Sequence, residues 1–569
     1  MNIKKRLDVA PFHDNFAHCL DECMISVTQF FGRKFILMYS QAWGFSLKEE
    51  LFDNTGTVIS PDVDRGEVYE LLALYHGIHV TFVNNTEAAG VKEIILKELY
   101  YDKPVGVLMD TYYYSWDPNK NQHGKHWFLI TGVDTEKEIL YCTDPYFQQK
   151  DAVLDFNDFI EGYLGVYFTF HTTGEEALEY DWKRIAGSSI NKIKGKESPC
   201  IFDNMIKYAD FLEKNFCLKD ETCKGNRIID MPFYINLQAL SRGRMQFALF
   251  LEDMASRYRI KALFYVAGKL REAGGKWDAV RGIMAKCIVK SDEAGIKSRI
   301  PQKIRDISSY ESEVFDLLMD IFGASSCFSS DKLSTDSFKD LRCSFENTGE
   351  AQKNKHRLVS KPDAEADINK NTEISGHTEN SDNYFYLNLT GYFNNNGFGS
   401  MLNSNTKANL SGTGLFFVRE DLPEKDVWCI NNMRFVFPKP AEDSNDNITC
   451  LEQLIEVPCL SCRSLMILAT ADFGSFSELV TIHYNDGGTE KIKIGFTEYI
   501  FEPSYGELIA WEGRACEKTN NAIQIHNSPV KIFANNYKLE KSGRITGISL
   551  PYLPNIHIFS ITLDTVNYA

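Results

Sequence analysis

The sequence predicts a multidomain α+β chain, and three observations carry that expectation. Residues 1–172 alternate short helical runs with strands. Strand signals then vanish over 178–323, where apolar residues recur at helical spacing. After Tyr384 the pattern turns to strands separated by Asn, Asp and Gly turns, which predicts a β-sandwich over 384–569. Residues 345–383 are rich in Asn, Lys, Glu, Ser and Thr and poor in apolar residues, so they read as a linker.

The first domain opens with a thiol at a helix start. After Cys19 the apolar positions Leu20, Cys23, Met24, Val27, Phe30 and Phe31 predict an amphipathic helix with Cys19 in its first turn. A helix N-terminus presents unpaired N–H groups and positive potential, which suit a nucleophilic sulfur and an adjacent oxyanion. Ile78–Val83 alternates with period two, and Val105–Met109 is continuously apolar; both read as strands, the second more deeply buried. His126 begins a run to Asp134 that reads as a buried strand. Ile139 to Pro145 reads as its hairpin partner, which brings Asp144 beside His126. In that arrangement Asp144 orients the imidazole, His126 takes the Cys19 proton, and the sulfur attacks a carbonyl. Cys23, one turn onward, is expected to face the core, and His79 and His123 to be structural or exposed.

The second domain carries helical runs over Phe247–Arg259, Lys261–Glu272 and Trp277–Val289. Basic residues from Arg257 to Arg305, among them Arg271, Lys276, Arg281 and Lys286, outnumber the nearby acids. They form either ordinary solvated helix faces or a docking surface for an acidic partner. In the third domain Leu415–Val418, Met433–Phe437 and Leu465–Ala469 are strand candidates. Val480–Tyr484 and Glu490–Ile494 flank Asn485-Asp486-Gly487-Gly488, a hairpin signal. Trp428 and Trp511 either stack on sugar rings or fill the core. Cys459 and Cys462 have zinc-ligand spacing with only Cys450 near, short of the ligands a structural zinc needs, so no metal is expected.

The His18-Cys19 pair before a helix, with His126 and Asp144-Pro145 on a hairpin, is the layout of a papain-like thiol site. It resembles the butirosin biosynthesis protein H family and, more distantly, the peptidase domains of bacteriocin-exporting transporters. Arg244 to Leu251, then Trp277, resemble the helical domain that follows in butirosin H relatives. The resemblance implies a papain-like cysteine-peptidase-type domain acting through Cys19, His126 and Asp144. It also implies transfer of an acyl group from a 4′-phosphopantetheine-linked acyl carrier protein thioester to a small-molecule amine or hydroxyl acceptor in antibiotic assembly. The transporter domains imply leader-peptide cleavage instead. Many papain-like enzymes place a Gln shortly before the nucleophile to complete the oxyanion hole. Here His13 stands there, followed by Asn15, and either side chain is a candidate donor beside the Cys19 backbone N–H. Tyr392 to Gly397, Leu422-Pro423, Tyr484 to Gly487 and Ile556 to Leu563 resemble the jelly-roll modules of carbohydrate-active enzymes.

Composition bounds these readings. A chain of 569 residues with 44% hydrophobic and 13% aromatic residues has ample material for packed cores. The formal net charge of -17 argues against a nucleic-acid partner, which needs a basic surface. No apolar stretch follows the basic N-terminus and none reaches the length of a membrane span, so a cytoplasmic protein off the membrane is expected. The 14 cysteines lack a disulfide-framework spacing, and no cofactor is implied. The leading expectation is a Cys-dependent acyltransferase. A cysteine peptidase or amidase using the same residues, and a noncatalytic glycan- or partner-binding protein, are the alternatives.

Overall fold

The computed structural model describes residues 3–14, 17–48, 56, 58–61, 65–117, 123–174, 177, 179–195, 200–222, 227–325, 383–441, 443–518, 522–526 and 528–566. The chain forms two compact units, residues 1–318 together with 384–569, and residues 319–383. Within the second unit the described residues are the end of one helix and position 383; the expected linker over 345–383 otherwise lies outside the described residues.

A seven-stranded antiparallel sheet builds the N-terminal part. Its order is Ile78–Val83, Tyr163–Thr172, Val105–Asp110, Lys125–Asp134, Ile139–Asp144, Gln149–Asp155, and Lys4–Arg6 pairs along Lys125–Asp134. The expected strand at Ile78–Val83 is present with those bounds, and in Val105–Asp110 all but Leu108 and Asp110 are buried. The helix Cys19–Phe30 packs on the central strand Lys125–Asp134. It is not amphipathic in the expected sense. Every residue from Asp21 to Thr28 is buried, acids included, because other elements cover the face that would otherwise meet water.

The helical part contains Trp182–Lys194, Ile201–Asn215, Pro232–Tyr258, Ala262–Val289 and Glu293–Ser325. The two runs read as Lys261–Glu272 and Trp277–Val289 are one continuous helix. Gly274 does not break it. A Cβ there would meet Met245 Cε at 2.8 Å and the Ser241 carbonyl at 3.0 Å, so the glycine marks a close helix crossing. The helices grip the N-terminal part through the buried Glu311 carboxylate. Arg244 Nε and Nη2 each donate to it at 2.9 Å, Trp43 Nε1 at 2.7 Å and Trp277 Nε1 at 2.8 Å. Such a fully bonded buried pair holds geometry well, whereas losing one partner strands a charge.

The C-terminal part is a β-sandwich. The 18-residue strand Leu454–Ala471 pairs with Arg544–Ser549 in its first half, with Val530–Lys538 in its second, and with Tyr552–Thr565 along its other edge. Register shifts between Glu456 and Leu460 and between Cys462 and Ser464 make the change of partner. Cys459, at φ 49, sits in that bend, so Cys459 and Cys462 belong to a bulge. The hairpin Phe476–Tyr484 with Thr489–Phe496 turns through Asn485–Gly488, where Asp486 Oδ1 accepts from the Gly488 N–H at 2.8 Å. Trp428 and Trp511 are in the core, stacked on Phe437 at 4.2 Å and edge-on to Phe398 at 5.7 Å. They offer no platform for a sugar ring.

The helix Ala262–Val289 also docks on the sandwich. Lys286 Nζ donates to Asp472 Oδ2 and, at 3.2 Å, to the Leu410 carbonyl, and it lies 3.4 Å from His557 Nε2. Asn555 Nδ2 donates to the Gly282 carbonyl at 3.1 Å. All four charged or amide side chains, Lys286, Asp472, His557 and Asn555, are buried. Among the described residues no helix is long and apolar enough to cross a membrane, and the cysteines are free thiols.

Candidate functional site

Cys19 is the first residue of its helix. His18 precedes it in extended conformation, φ -87 and ψ 160, as the N-cap with no side-chain cap bond. The first-turn N–H groups therefore receive nothing from the His18 side chain, and positive potential is left at the sulfur's end of the helix. The acids of the first turn are engaged elsewhere. Arg65 forks onto Asp21; burial pushes Asp21 up, but the Arg65 charge and hydrogen bonds outweigh it and hold the carboxyl below its usual range. Burial raises Glu22, offset in part by His13 Nδ1 at 2.9 Å and the Asp14 N–H at 3.1 Å. Cys19 is partly exposed, whereas Cys23 is fully buried and burial pushes its thiol well up. The structure thus separates two nearby cysteines into one accessible and one inert.

The expected hairpin forms, with Leu129 opposite Thr143 and Ile130 opposite Cys142. At its open end His126 Nε2 lies 3.1 and 3.0 Å from the two Asp144 oxygens, and His126 is only 6% exposed and Asp144 0%. Burial disfavours charge on the ring, yet the hydrogen bond to Asp144, contact with Cys19 and the charges of both push His126 up to about 10. Since Nε2 serves the carboxylate, Nδ1 is left for the sulfur. Asp144 is itself held from two further sides. Trp116 Nε1 donates to Oδ2 at 2.9 Å and the Phe147 N–H to Oδ1 at 3.3 Å. Tyr146 and Phe147 pack on the imidazole at 5.6 and 5.1 Å, excluding water from the pair.

Trp116 was not among the sequence candidates. Its signal is the aromatic run Tyr112-Tyr113-Tyr114-Ser115-Trp116 after Asp110, which nothing local connects to Asp144. A second unforeseen residue is Arg242, from the helix Pro232–Tyr258. Its Nη1 lies 3.4 Å from both His18 Nδ1 and the Ala17 carbonyl. The helix comes this close because Gly243 has no Cβ; one would sit 2.3 Å from the Ala42 carbonyl. Burial first, then the Arg242 charge, push His18 down to about 4, so it is neutral at ordinary pH.

Of the oxyanion candidates, His13 is bonded through Nδ1 to Glu22, and Asn15 lies outside the described residues. His123 is exposed, stacked on Tyr112 and paired with Asp110 at 2.8 Å; His79 bonds Thr173 at 2.7 Å on the surface. Neither is grouped with Cys19 by any of these contacts. The basic run of the helical part is largely neutralised: Arg257 pairs with Asp253, Arg271 with Glu252, Arg281 with Asp278, Lys297 with Glu293 and Arg305 with Asp210. Among the described residues no three His, Cys, Asp or Glu side chains are grouped to hold a metal.

Residues 383–567 match the family model of the AziU2-like beta-sandwich domain. That segment is the sandwich and contains none of Cys19, His126 and Asp144. Compared with the curated proteins, the chain shows no match.

Proposed function

We propose that the protein is a Cys-dependent acyltransferase of specialised-metabolite biosynthesis. The observation that carries this reading is the His126–Asp144 pair at 3.0 Å, buried, braced by Trp116 and in contact with a partly exposed thiol at a helix N-terminus. The AziU2-like sandwich supports the metabolic setting. In the first half-reaction the Cys19 sulfur attacks the thioester carbonyl carbon, and its proton is held on His126. The new C–S bond forms, the carbon–sulfur bond to the carrier breaks, and the His126 proton goes to the departing carrier thiolate. In the second half an amine or hydroxyl attacks the acyl carbon, gives its proton to His126, and Cys19 leaves with that proton. Asp144 holds the ring through both halves. A 4′-phosphopantetheine-linked acyl carrier protein is the proposed donor and a small molecule the acceptor.

Intact-protein mass spectrometry after mixing with acyl-carrier thioesters tests this. The wild-type chain gains the mass of one acyl group and Cys19→Ala gains none; full acylation of that variant sinks the mechanism. Release of free acid with no transfer to any offered amine or alcohol would instead identify a hydrolase using the same residues. The noncatalytic glycan-binding reading loses its main support, since Trp428 and Trp511 are buried. The pocket bounded by Asp421, Glu512, Arg514 and His526 has no Trp, Tyr or Phe in its wall.

A further inference from the structure

Arg242 is set apart from Arg65, Arg244 and Arg281. Arg244 meets Glu311, Arg65 meets Asp21, and Arg281 meets Asp278, each within 3.0 Å. Arg242 has no carboxylate within 4.0 Å among the described residues. Its bonds to His18 Nδ1 and to the Ala17 carbonyl are long, 3.4 Å each. The two first-turn acids that feel its charge are bonded elsewhere, Asp21 to Arg65 and Glu22 to His13. His18 is neutral and cannot balance the charge. The Tyr146 hydroxyl interacts with the guanidinium, and Tyr146 also packs on the His126 ring at 5.6 Å. Arg242 is therefore a partly buried cation with unspent donors, bonded to the residue that precedes the nucleophile and to an aromatic side chain that covers the base. A guanidinium in that state is suited to a planar oxyanion that binds reversibly.

We propose that Arg242 is the anion-recognition residue of the thiol site, receiving a carboxylate carried by the reacting molecule beside Cys19. This rests on the proposed thiol chemistry and narrows it: the preferred acyl group or acceptor bears a carboxylate close to the reacting carbonyl. The side chain comes from the helical part, so that part supplies specificity while the N-terminal part supplies the nucleophile.

Iodoacetate and iodoacetamide form a matched pair of probes, anionic and neutral, of nearly equal size. Alkylation rates at Cys19, read by peptide mass spectrometry, are compared with those at Cys429 and Cys459, which are exposed and far along the chain. In the wild-type protein the iodoacetate-to-iodoacetamide ratio at Cys19 is expected to exceed that at the two controls by roughly tenfold, the scale of one attractive charge at close range. Arg242→Gln should collapse most of that excess, and Arg242→Lys, which keeps the charge, should retain part of it. His126 is intact in both variants, so its own charge does not explain the change. An unchanged ratio in Arg242→Gln, with a native circular-dichroism spectrum, overturns the proposal and leaves the thiol chemistry standing. Failure of either reagent to label Cys19 in the wild type overturns the thiol chemistry and this proposal together.

Discussion

His126 and His557 each approach a buried aspartate through Nε2, at 3.0 and 3.1 Å, yet the first ring is pushed up to about 10 and the second down to about 4. Burial is the largest influence on both and disfavours charge on both. At His126 every other neighbour works against it, since Asp144 and Cys19 each favour the protonated ring. At His557 the aspartate is shared. Lys286 bonds the same Asp472 oxygen and lies 3.4 Å from the ring, so a second imidazolium charge there would face an ammonium. The aspartate does not decide whether such a pair holds a proton; the third group does. A sulfur makes the pair a proton store, and a lysine makes it a neutral structural joint.

The largest effect expected from this contrast is on rate. His126→Ala should slow acylation of Cys19 by roughly a thousandfold. His557→Ala should leave that rate within a factor of about two, because its effect falls on the joint to the sandwich and not on the thiol. Single-turnover acylation followed by mass spectrometry reads both, and comparable losses in the two would break the comparison.

Next in size is a stability effect confined to the second pair. Lys286→Ala leaves Asp472 without its buried cation and should cost about 3–4 kcal/mol in urea unfolding. The same variant should raise the His557 pKa, since the repelling charge is gone. An unchanged His557 titration, followed by NMR, would show that burial alone holds it neutral.

The pH dependence of stability should run in opposite directions. His126 is raised above its ordinary value of 6.5, so its contribution is complete below that value and is lost as pH rises through about 10. His557 is lowered, so its contribution is complete above 6.5 and is lost as pH falls through about 4. Unfolding curves of His126→Ala should therefore approach the wild type toward alkaline pH, and those of His557→Ala toward acid pH. The smallest expected change is Trp116→Phe, which removes one donor from Asp144. It should cost about 1 kcal/mol in stability, read by urea unfolding.

Much of the candidate site's geometry was legible because its parts lie at ends of local patterns. Cys19 opens a helical repeat, His126 opens an apolar strand, and Asp144 closes the next, so periodicity and one hairpin suffice to bring the last two together. Trp116 and Arg242 were not legible, because each reaches the site across the fold from a segment whose own pattern is satisfied without it. The same holds for the joint, where Lys286 and His557 are 271 residues apart. The continuity of the helix Ala262–Val289 through Gly274-Gly275 was not legible for a different reason. Glycine weakens a helix locally, but here the crossing with Ser241 and Met245 rewards the absent side chain more than the helix loses. The aromatic residues of the sandwich were ambiguous in sequence because a tryptophan looks alike in a core and on a platform.

The close approach at Gly243 has a consequence for anyone recombining this protein. A chimera that carried residues 1–172 onto a foreign helical partner would inherit Cys19, His126 and Asp144 in order. It would also lose Arg242 from beside His18, and the carboxylate that caps the Trp43 indole would be gone with Glu311. The transplanted piece would keep the thiol, the imidazole and the carboxylate, but not the guanidinium beside them or the acceptor for its buried indole. The seam that looks most natural for a cut, between the sheet and the helices, runs through the contacts that join Arg242 to His18 and Glu311 to Trp43.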